Sequence, residues 1–273
     1  MELKLRGRLG YLLLKALSRR PEVVGPACQT RVEGPAPATK MERFLGSDIW
    51  TRFADKRVLD YGCGGGEEVI EVARRSGATV YGIDIQDKLL EAGRALAERE
   101  CVADRCVFLN GITRAGEVAQ LEESFDFAFS LDSFEHFDDP KFILERIYRL
   151  LKPGGRLLVS FGPPWKHPNG AHMGYICAFP WIHFIFAERT ILEVRALYRD
   201  DGAKRFRDVE GGLNQMTIAR FLELLRSSRF RIEKFRTVPI RGFELLVKNR
   251  RWGEYFTSVV LCTAVKPDVP RGA

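Results

Sequence analysis

The segment Val58-Leu59-Asp60-Tyr61-Gly62-Cys63-Gly64-Gly65-Gly66-Glu67-Glu68 constrains this chain more than any other. A short apolar run enters a glycine-rich turn and leaves it into helix-forming residues. Glycine accepts positive φ and leaves the main chain bare, so this order predicts backbone groups facing a ligand at the carboxyl edge of a sheet. Tyr81-Gly82-Ile83-Asp84 closes the next apolar run and sets an acid 22 residues after Gly62. That is near the ~20 expected of a carboxylate that grips ribose hydroxyls.

From Arg57 onward, short apolar runs alternate with helical segments, the pattern of a parallel sheet with crossover helices. Strands are predicted at Val58–Tyr61, Thr79–Asp84, Cys106–Leu109, Phe125–Leu131 and Arg156–Phe161, with two more at Phe230–Val238 and Phe256–Val265. Helices fall near Glu67–Ser76, Lys88–Glu100, Pro140–Leu151 and Thr217–Ser228, and Pro153-Gly154-Gly155 reads as a turn. With 45% hydrophobic residues the chain has material for a sizeable core, which excludes a disordered or disulfide-held scaffold. Its six cysteines form no CxxC pair, favouring reduced thiols and a cytoplasmic setting over structural zinc.

The charge is uneven. Of a net +7, most sits at the start, where Lys4, Arg6, Arg8, Lys15, Arg19 and Arg20 face only Glu2. Residues 1–20 read as a basic amphipathic helix with Leu5, Leu9, Leu12, Leu13, Ala16 and Leu17 on one face. Such a helix docks on its own domain or lies peripherally on an anionic membrane surface. Residues 21–40, rich in Pro and Gly, form a linker; 41–265 form the main domain, with an insertion at 162–212 and a tail at 266–273. No run is long and apolar enough to span a membrane, and no broad basic groove for nucleic acid is indicated.

Dinucleotide sites rest a pyrophosphate on the helix N-terminus. Here Glu67 and Glu68 occupy that position, so the turn suits a nucleoside ligand without phosphates, of which S-adenosylmethionine is one. A P-loop is excluded because no Gly-Lys-Ser/Thr follows.

The chain resembles the class I S-adenosylmethionine-dependent methyltransferases, type 11-like. VLDYGCGGG resembles their first motif, YGID the acidic second, FDFAFSLDSFEHFDDP the strand-four segment and LKPGGRLLVS the turn into strand five. The resemblance implies a Rossmann-like α/β fold: a doubly wound, mostly parallel seven-stranded sheet with helices on both faces. An N-terminal helical extension and a lid after strand five complete it. It further implies that Asp60, Tyr61 and the loop Gly62, Cys63, Gly64, Gly65, Gly66 hold the methionine end. Asp84 would grip the ribose, Ile85 would flank the adenine, Gly111, Ile112 and Thr113 would border the base, and Leu131 would lie beneath the sulfur. Many members carry Asp where Ile112 stands, so backbone or a neighbour would hold the adenine amino group.

Methyl transfer to a hydroxyl calls for alignment, exclusion of water and a general base, for which His is the default. All four histidines lie between residues 136 and 183. His172 and His167, in a Pro- and Gly-rich loop read as exposed and ordered, are the favoured candidates, with His136 beyond strand four as the third. His167, His172 and His183 lack characteristic zinc spacing, and no metal is expected. Phe161, Trp165, Tyr175, Phe179, Trp181, Phe184 and Phe186 give the insertion an aromatic density suited to a lid or an acceptor pocket. The charge-rich helical stretch Arg189–Arg207 is a solvated face or the seat of an acidic acceptor group. The expected activity is O-methylation of a small-molecule or lipid-linked acceptor, either a saccharide or a quinone or phenolic ring. Alternatives are a nucleic-acid methyltransferase, disfavoured because Leu131-Asp132-Ser133-Phe134 replaces the Asn/Asp-Pro-Pro-Tyr/Phe signature, and a non-catalytic cofactor-binding scaffold subunit.

Overall fold

In a computed structural model, residues 4–20, 39–209, 211–249 and 251–268 are described. The predicted linker lies outside them except for its last two residues, as do the last five residues of the tail. The strands are β1 Arg57–Tyr61, β2 Thr79–Asp84, β3 Cys106–Asn110, β4 Phe125–Leu131, β5 Leu151–Phe161, β6 Arg231–Pro239 and β7 Thr257–Val265. They form one sheet in the order β3-β2-β1-β4-β5-β7-β6. β1 to β5 pair in parallel, and β7 runs antiparallel between β5 and β6. The order reverses between β1 and β4, which opens a crevice at their carboxyl ends.

The helices are α1 Gly7–Leu17, α2 Lys40–Leu45, α3 Ile49–Phe53, α4 Glu67–Ser76, α5 Asp87–Arg99 and α6 Ala115–Ala119. They continue with α7 Pro140–Leu150, α8 Ile182–Ile185, α9 Glu188–Arg195, α10 Ile218–Ser227 and α11 Glu244–Val247. One apolar cluster under the sheet gathers Leu59, Phe125, Phe134, Phe161 and Phe221, and another gathers Phe53, Val58, Val69, Leu90 and Phe129. The strands central to both are buried on two faces, which is why β1 and β4 read as continuous apolar runs rather than alternating ones.

Three expectations are corrected. The turn at Pro153-Gly154-Gly155 is absorbed into β5: Leu151 already pairs with Phe125, and the register shifts before Arg156 pairs with Phe127. Pro153 has no N–H to give the ladder and Gly154 sits at φ 75°, so the segment is a bulge inside a longer strand. The helix over Arg189–Arg207 stops at Arg195, whose buried guanidinium pairs with Asp201 in a turn closed by Gly202 at φ 65°. The loop carrying His167 is not exposed. Residues of the insertion, including Met173, Ile176, Ile182 and Phe186, join Leu14 of α1 in a third apolar cluster.

α1 docks on its own domain through an unexpected face. Gly10 and Leu14 are buried, whereas Leu9, Leu12, Leu13 and Leu17 remain exposed. A Cβ on Gly10 would lie 2.9 Å from the Leu5 carbonyl carbon and 3.4 Å from Thr190 Cγ2, so glycine permits this close packing on α9. Among the described residues, no helix is long and apolar enough to cross a membrane, and the five cysteines are free.

Candidate functional site

The glycine turn joins β1 to α4 and is held from both sides. Gly62 donates to the Ile83 carbonyl at 2.7 Å and Gly66 to the Cys63 carbonyl at 2.9 Å. At Gly66, with φ 79°, a Cβ would lie 2.5 Å from the Phe108 ring, so only glycine lets α4 start there. At Gly64, with φ 50°, a Cβ would meet nothing within 4 Å, which leaves bare main chain facing open space. Gly65 begins no such contact with the core; its nearest neighbour is the Glu67 carboxylate. Cys63 is buried, with its sulfur against Gly82, and burial pushes its thiol up, so it contributes packing and backbone rather than a thiolate.

Asp84, at the end of β2, ties this turn to its own loop. Its Oδ2 accepts from the Gly64 N–H at 2.9 Å, while Oδ1 accepts from Ile85 and Gln86 at 2.7 and 3.0 Å. A carboxylate has lone pairs left for further donors, such as ribose hydroxyls. Beside it, Ile85 is 63% exposed and Ile112 is 68% exposed, which is unusual for large apolar side chains. They stand on loops joined by Asn110: its Nδ2 donates to the Ile85 carbonyl and Asp87, and its Oδ1 accepts from Ile112 and Thr113. Gly111 adds a bond to the Asp84 carbonyl, and Arg146 donates to the Gly111 carbonyl. Two apolar side chains on braced loops make a slot for a flat heterocycle.

The site is strongly acidic. Asp60 is buried at the end of β1, and burial together with Glu68, Asp84 and Glu67 lifts its carboxyl well above the usual range, opposed by Lys40. Lys40, from α2, pairs with Glu68 at 3.1 Å and Asp132 at 2.9 Å. Glu67, Glu68 and Asp84 around an open glycine turn repel a pyrophosphate and favour a cationic ligand. Leu131 is buried at the end of β4, and Tyr61 meets the Phe137 ring edge-on at 6.0 Å.

The acceptor side begins where these elements meet. A Cβ on Gly62 would lie 3.2 Å from Phe137, the residue after His136. Two cavities of about 310 and 340 Å³ share His136, Gly212 and Leu213 as walls. The first is also lined by Phe137, Arg205, Arg207 and Arg220, and the second by His172, Tyr175, Arg195 and Arg199. His136 Nδ1 lies 2.7 Å from the Gly212 carbonyl, so that nitrogen carries the proton and Nε2 keeps the lone pair. His172 packs edge-on to His136 at 5.5 Å and uses Nε2 to donate to the Pro163 carbonyl at 3.1 Å. Burial pushes His172 down to about 4.

His167 lines neither cavity; its Nδ1 accepts from the Asn169 N–H, and burial pushes it too down to about 4. His183 lies in the insertion's core against Trp165 and Phe184. Sequence reasoning passed over Asn214, which braces the segment carrying His136. Asn214 donates its side-chain N–H groups to the Phe134 and Phe137 carbonyls, both at 2.7 Å. Glu135, buried and pushed up to about 8 by burial, accepts from the Gly162 N–H. Gly211-Gly212, both at positive φ, was the available signal of a constrained turn here. Among the described residues, no group of three or more His, Cys, Asp or Glu is placed to hold a metal ion.

Residues 59–159 match a family model described as a methyltransferase domain. The 27-O-demethylrifamycin SV methyltransferase of Amycolatopsis mediterranei is 38% identical over 107 residues, 39% of this chain and 39% of that protein. A ubiquinone biosynthesis O-methyltransferase of Neisseria meningitidis is 34% identical over 142 residues, 50% of this chain and 52% of that one. The chain thus spans only two fifths to a half of these relatives' length. Among solved structures, the [4+2]-cyclase SpnF aligns with TM-score 0.53 and 19% identity, covering 81% of this chain and 80% of its own. An S-adenosylmethionine-dependent methyltransferase from Mesorhizobium loti aligns with TM-score 0.51 and 18% identity, covering 78% and 92%. At these identities the structural likeness shows the fold, and the family rests on the sequence match. That match runs from Leu59 in β1 to Val159 in β5, over the residues that build the cradle, and marks this stretch as a methyltransferase domain of the kind that uses S-adenosylmethionine.

Proposed function

We propose that this domain methylates a hydroxyl oxygen of a small or lipid-linked acceptor. Bound S-adenosylmethionine would supply a methyl carbon activated by positively charged sulfur. Asp60 and the glycine turn would hold its amino-acid end, Asp84 its ribose, and Ile85 and Ile112 the two sides of its adenine. Asp60 then gains a cation beside a carboxyl that its acidic neighbours otherwise penalise.

The observation that carries the reading is the hydrogen bond of His136 Nδ1 to the Gly212 carbonyl at the wall common to both cavities, which makes Nε2 the ring's basic nitrogen in its neutral form. His136 would take the proton of the acceptor hydroxyl as that oxygen receives the methyl group. His172, with Nε2 committed to Pro163, orients the acceptor from the other wall. His167 acts through the loop it braces. Arg195 and Arg199 beside the second cavity suit an acceptor that also carries a carboxylate or phosphate, and the relative named as a ubiquinone biosynthesis O-methyltransferase supports oxygen as the target.

The test is a screen for S-adenosylhomocysteine formation with catechols, hydroxylated quinones, saccharides and RNA. The reading expects turnover on a hydroxylated ring or a sugar, and His136→Gln to reduce it by ~10²-fold or more with cofactor affinity unchanged. Turnover on RNA alone would overturn it.

A further inference from the structure

Fifteen large hydrophobic residues among those described are exposed, and nine of them fall in two short segments. Leu5, Leu9, Leu12, Leu13 and Leu17 belong to the N-terminal segment, and Phe243, Leu245, Leu246 and Trp252 surround α11. Neither group is used by the cofactor or acceptor sites.

In α1, Leu9, Leu12, Leu13 and Leu17 stand at spacings of three, four and eight residues, one stripe of the helix. They are exposed because the helix spends a different stripe, Gly10 and Leu14, on docking. A third stripe carries Arg8 and Lys15, Arg19 and Arg20 follow the helix, and residues 4–20 contain no acid. The segment at α11 repeats this chemistry. Leu245 is 80% exposed at its tip, Phe243 stacks on Phe256 at 4.9 Å, and Arg241, Lys248 and Arg251 surround a single acid, Glu244.

The insertion joins the two segments. Leu5 pairs with Phe186 and donates to the Ile185 carbonyl at 2.8 Å, while Phe184 in α8 meets Tyr255 at 6.3 Å, and Tyr255 meets Trp252 at 5.9 Å. α8 therefore links Leu5, just before α1, to the turn at residues 252–255 that follows α11.

We propose that these two segments form one docking surface for an anionic lipid bilayer. α1 would lie in the interface plane with its leucines in the acyl boundary, and the α11 segment would insert as a second anchor. Charge complementarity selects the occupant. Exposed leucines bordered by long cations that reach the headgroups suit anionic lipid, whereas the core of a protein interface is depleted of charge. Two anchors also meet the requirement that stable association takes more than one weak signal. The surface stands on exposure and charge, whether or not the acceptor is lipid-linked.

The test is co-sedimentation of the full chain with vesicles of phosphatidylcholine containing phosphatidylglycerol, against phosphatidylcholine alone. The wild type is expected to pellet with the anionic vesicles and to be released by high salt. Leu9→Ser with Leu13→Ser should weaken binding by ~10-fold, and Leu245→Ser with Trp252→Ser should do so separately. These positions are exposed, so circular dichroism and S-adenosylmethionine affinity serve as unchanged controls. A wild type that stays in the supernatant, folded variants that bind as tightly as wild type, or self-association through these leucines without vesicle binding would each overturn the proposal.

Discussion

Gly64 gives its backbone N–H to Asp84 Oδ2 at 2.9 Å, so the acid after β2 holds the turn after β1 in the shape that presents bare main chain. Ribose binding and turn geometry therefore share one side chain. Asp84→Ala removes three backbone acceptor bonds together with any bond to a ribose hydroxyl. A hydrogen bond to a charged group is worth ~1.5–3 kcal/mol, so S-adenosylmethionine affinity should fall by at least ~10-fold in a calorimetric titration. Retained affinity in a folded variant would separate Asp84 from the ribose.

Asn110 is buried and satisfies two N–H groups and one carbonyl across the slot. Asn110→Leu leaves these groups without their partner in nearly the same volume. The expected cost is ~2–4 kcal/mol of stability, together with weaker cofactor binding because Ile85 and Ile112 lose their common brace. Chemical denaturation of the variant with and without cofactor checks both effects.

The pH dependence of stability has two opposed sources. His167, His172 and His183 are pushed down to about 4 by burial, so they stay neutral in the fold and take up protons on unfolding below their ordinary 6.5. Their contribution is complete above pH 6.5 and is lost as pH falls towards about 4. Glu135 behaves the other way. Pushed up to about 8, it is protonated in the fold and ionised in the unfolded chain above 4.5, so its contribution is complete below 4.5 and is lost as pH rises to about 8. Asp60, buried and raised well above the usual carboxylate range, acts in the same sense as Glu135, and three histidines outweigh the two acids on the acid side, which puts the highest Tm slightly below pH 6.5. Glu135→Gln keeps an acceptor for Gly162 and should flatten the decline between 6.5 and 8; an unchanged decline would remove Glu135 as its cause.

Arg199 lines the second cavity and lies over the Tyr175 ring at 5.1 Å. For an acceptor bearing a carboxylate or phosphate, Arg199→Ala should raise KM by ~10-fold or more with kcat little changed, because the interaction is present before and during transfer. Steady-state kinetics on an acid-bearing acceptor against its neutral analogue supplies the check, and an equal effect on both would place Arg199 in folding alone.

The fold was legible where local chemistry and packing agree. β1, the glycine turn and α4 were readable because Gly62, Gly64 and Gly66 all sit at positive φ, and α4 falls on its predicted residues. Helix α1 was legible as amphipathic, but its docking stripe was not, since Gly10 carries no apolar signal and its close packing depends on Leu5 and Thr190. The bulge in β5 was hidden because Pro-Gly reads as a turn in isolation and becomes part of a strand only beside Phe125 and Lys266. Asn110 and Asn214 escaped for a similar reason: Asn110 reaches the Ile85 carbonyl and Asn214 the Phe134 and Phe137 carbonyls, backbone brought near by the fold, which no spacing announces.

The central claim is that the turn from Gly62 to Gly66 and Asp84 cradle a cationic adenosyl ligand. The most direct measurement is calorimetric titration of the full chain with S-adenosylmethionine and, separately, with NADH. One S-adenosylmethionine bound per chain with no heat from NADH is the predicted result. Binding of NADH, or silence with S-adenosylmethionine from a folded protein, would contradict the account.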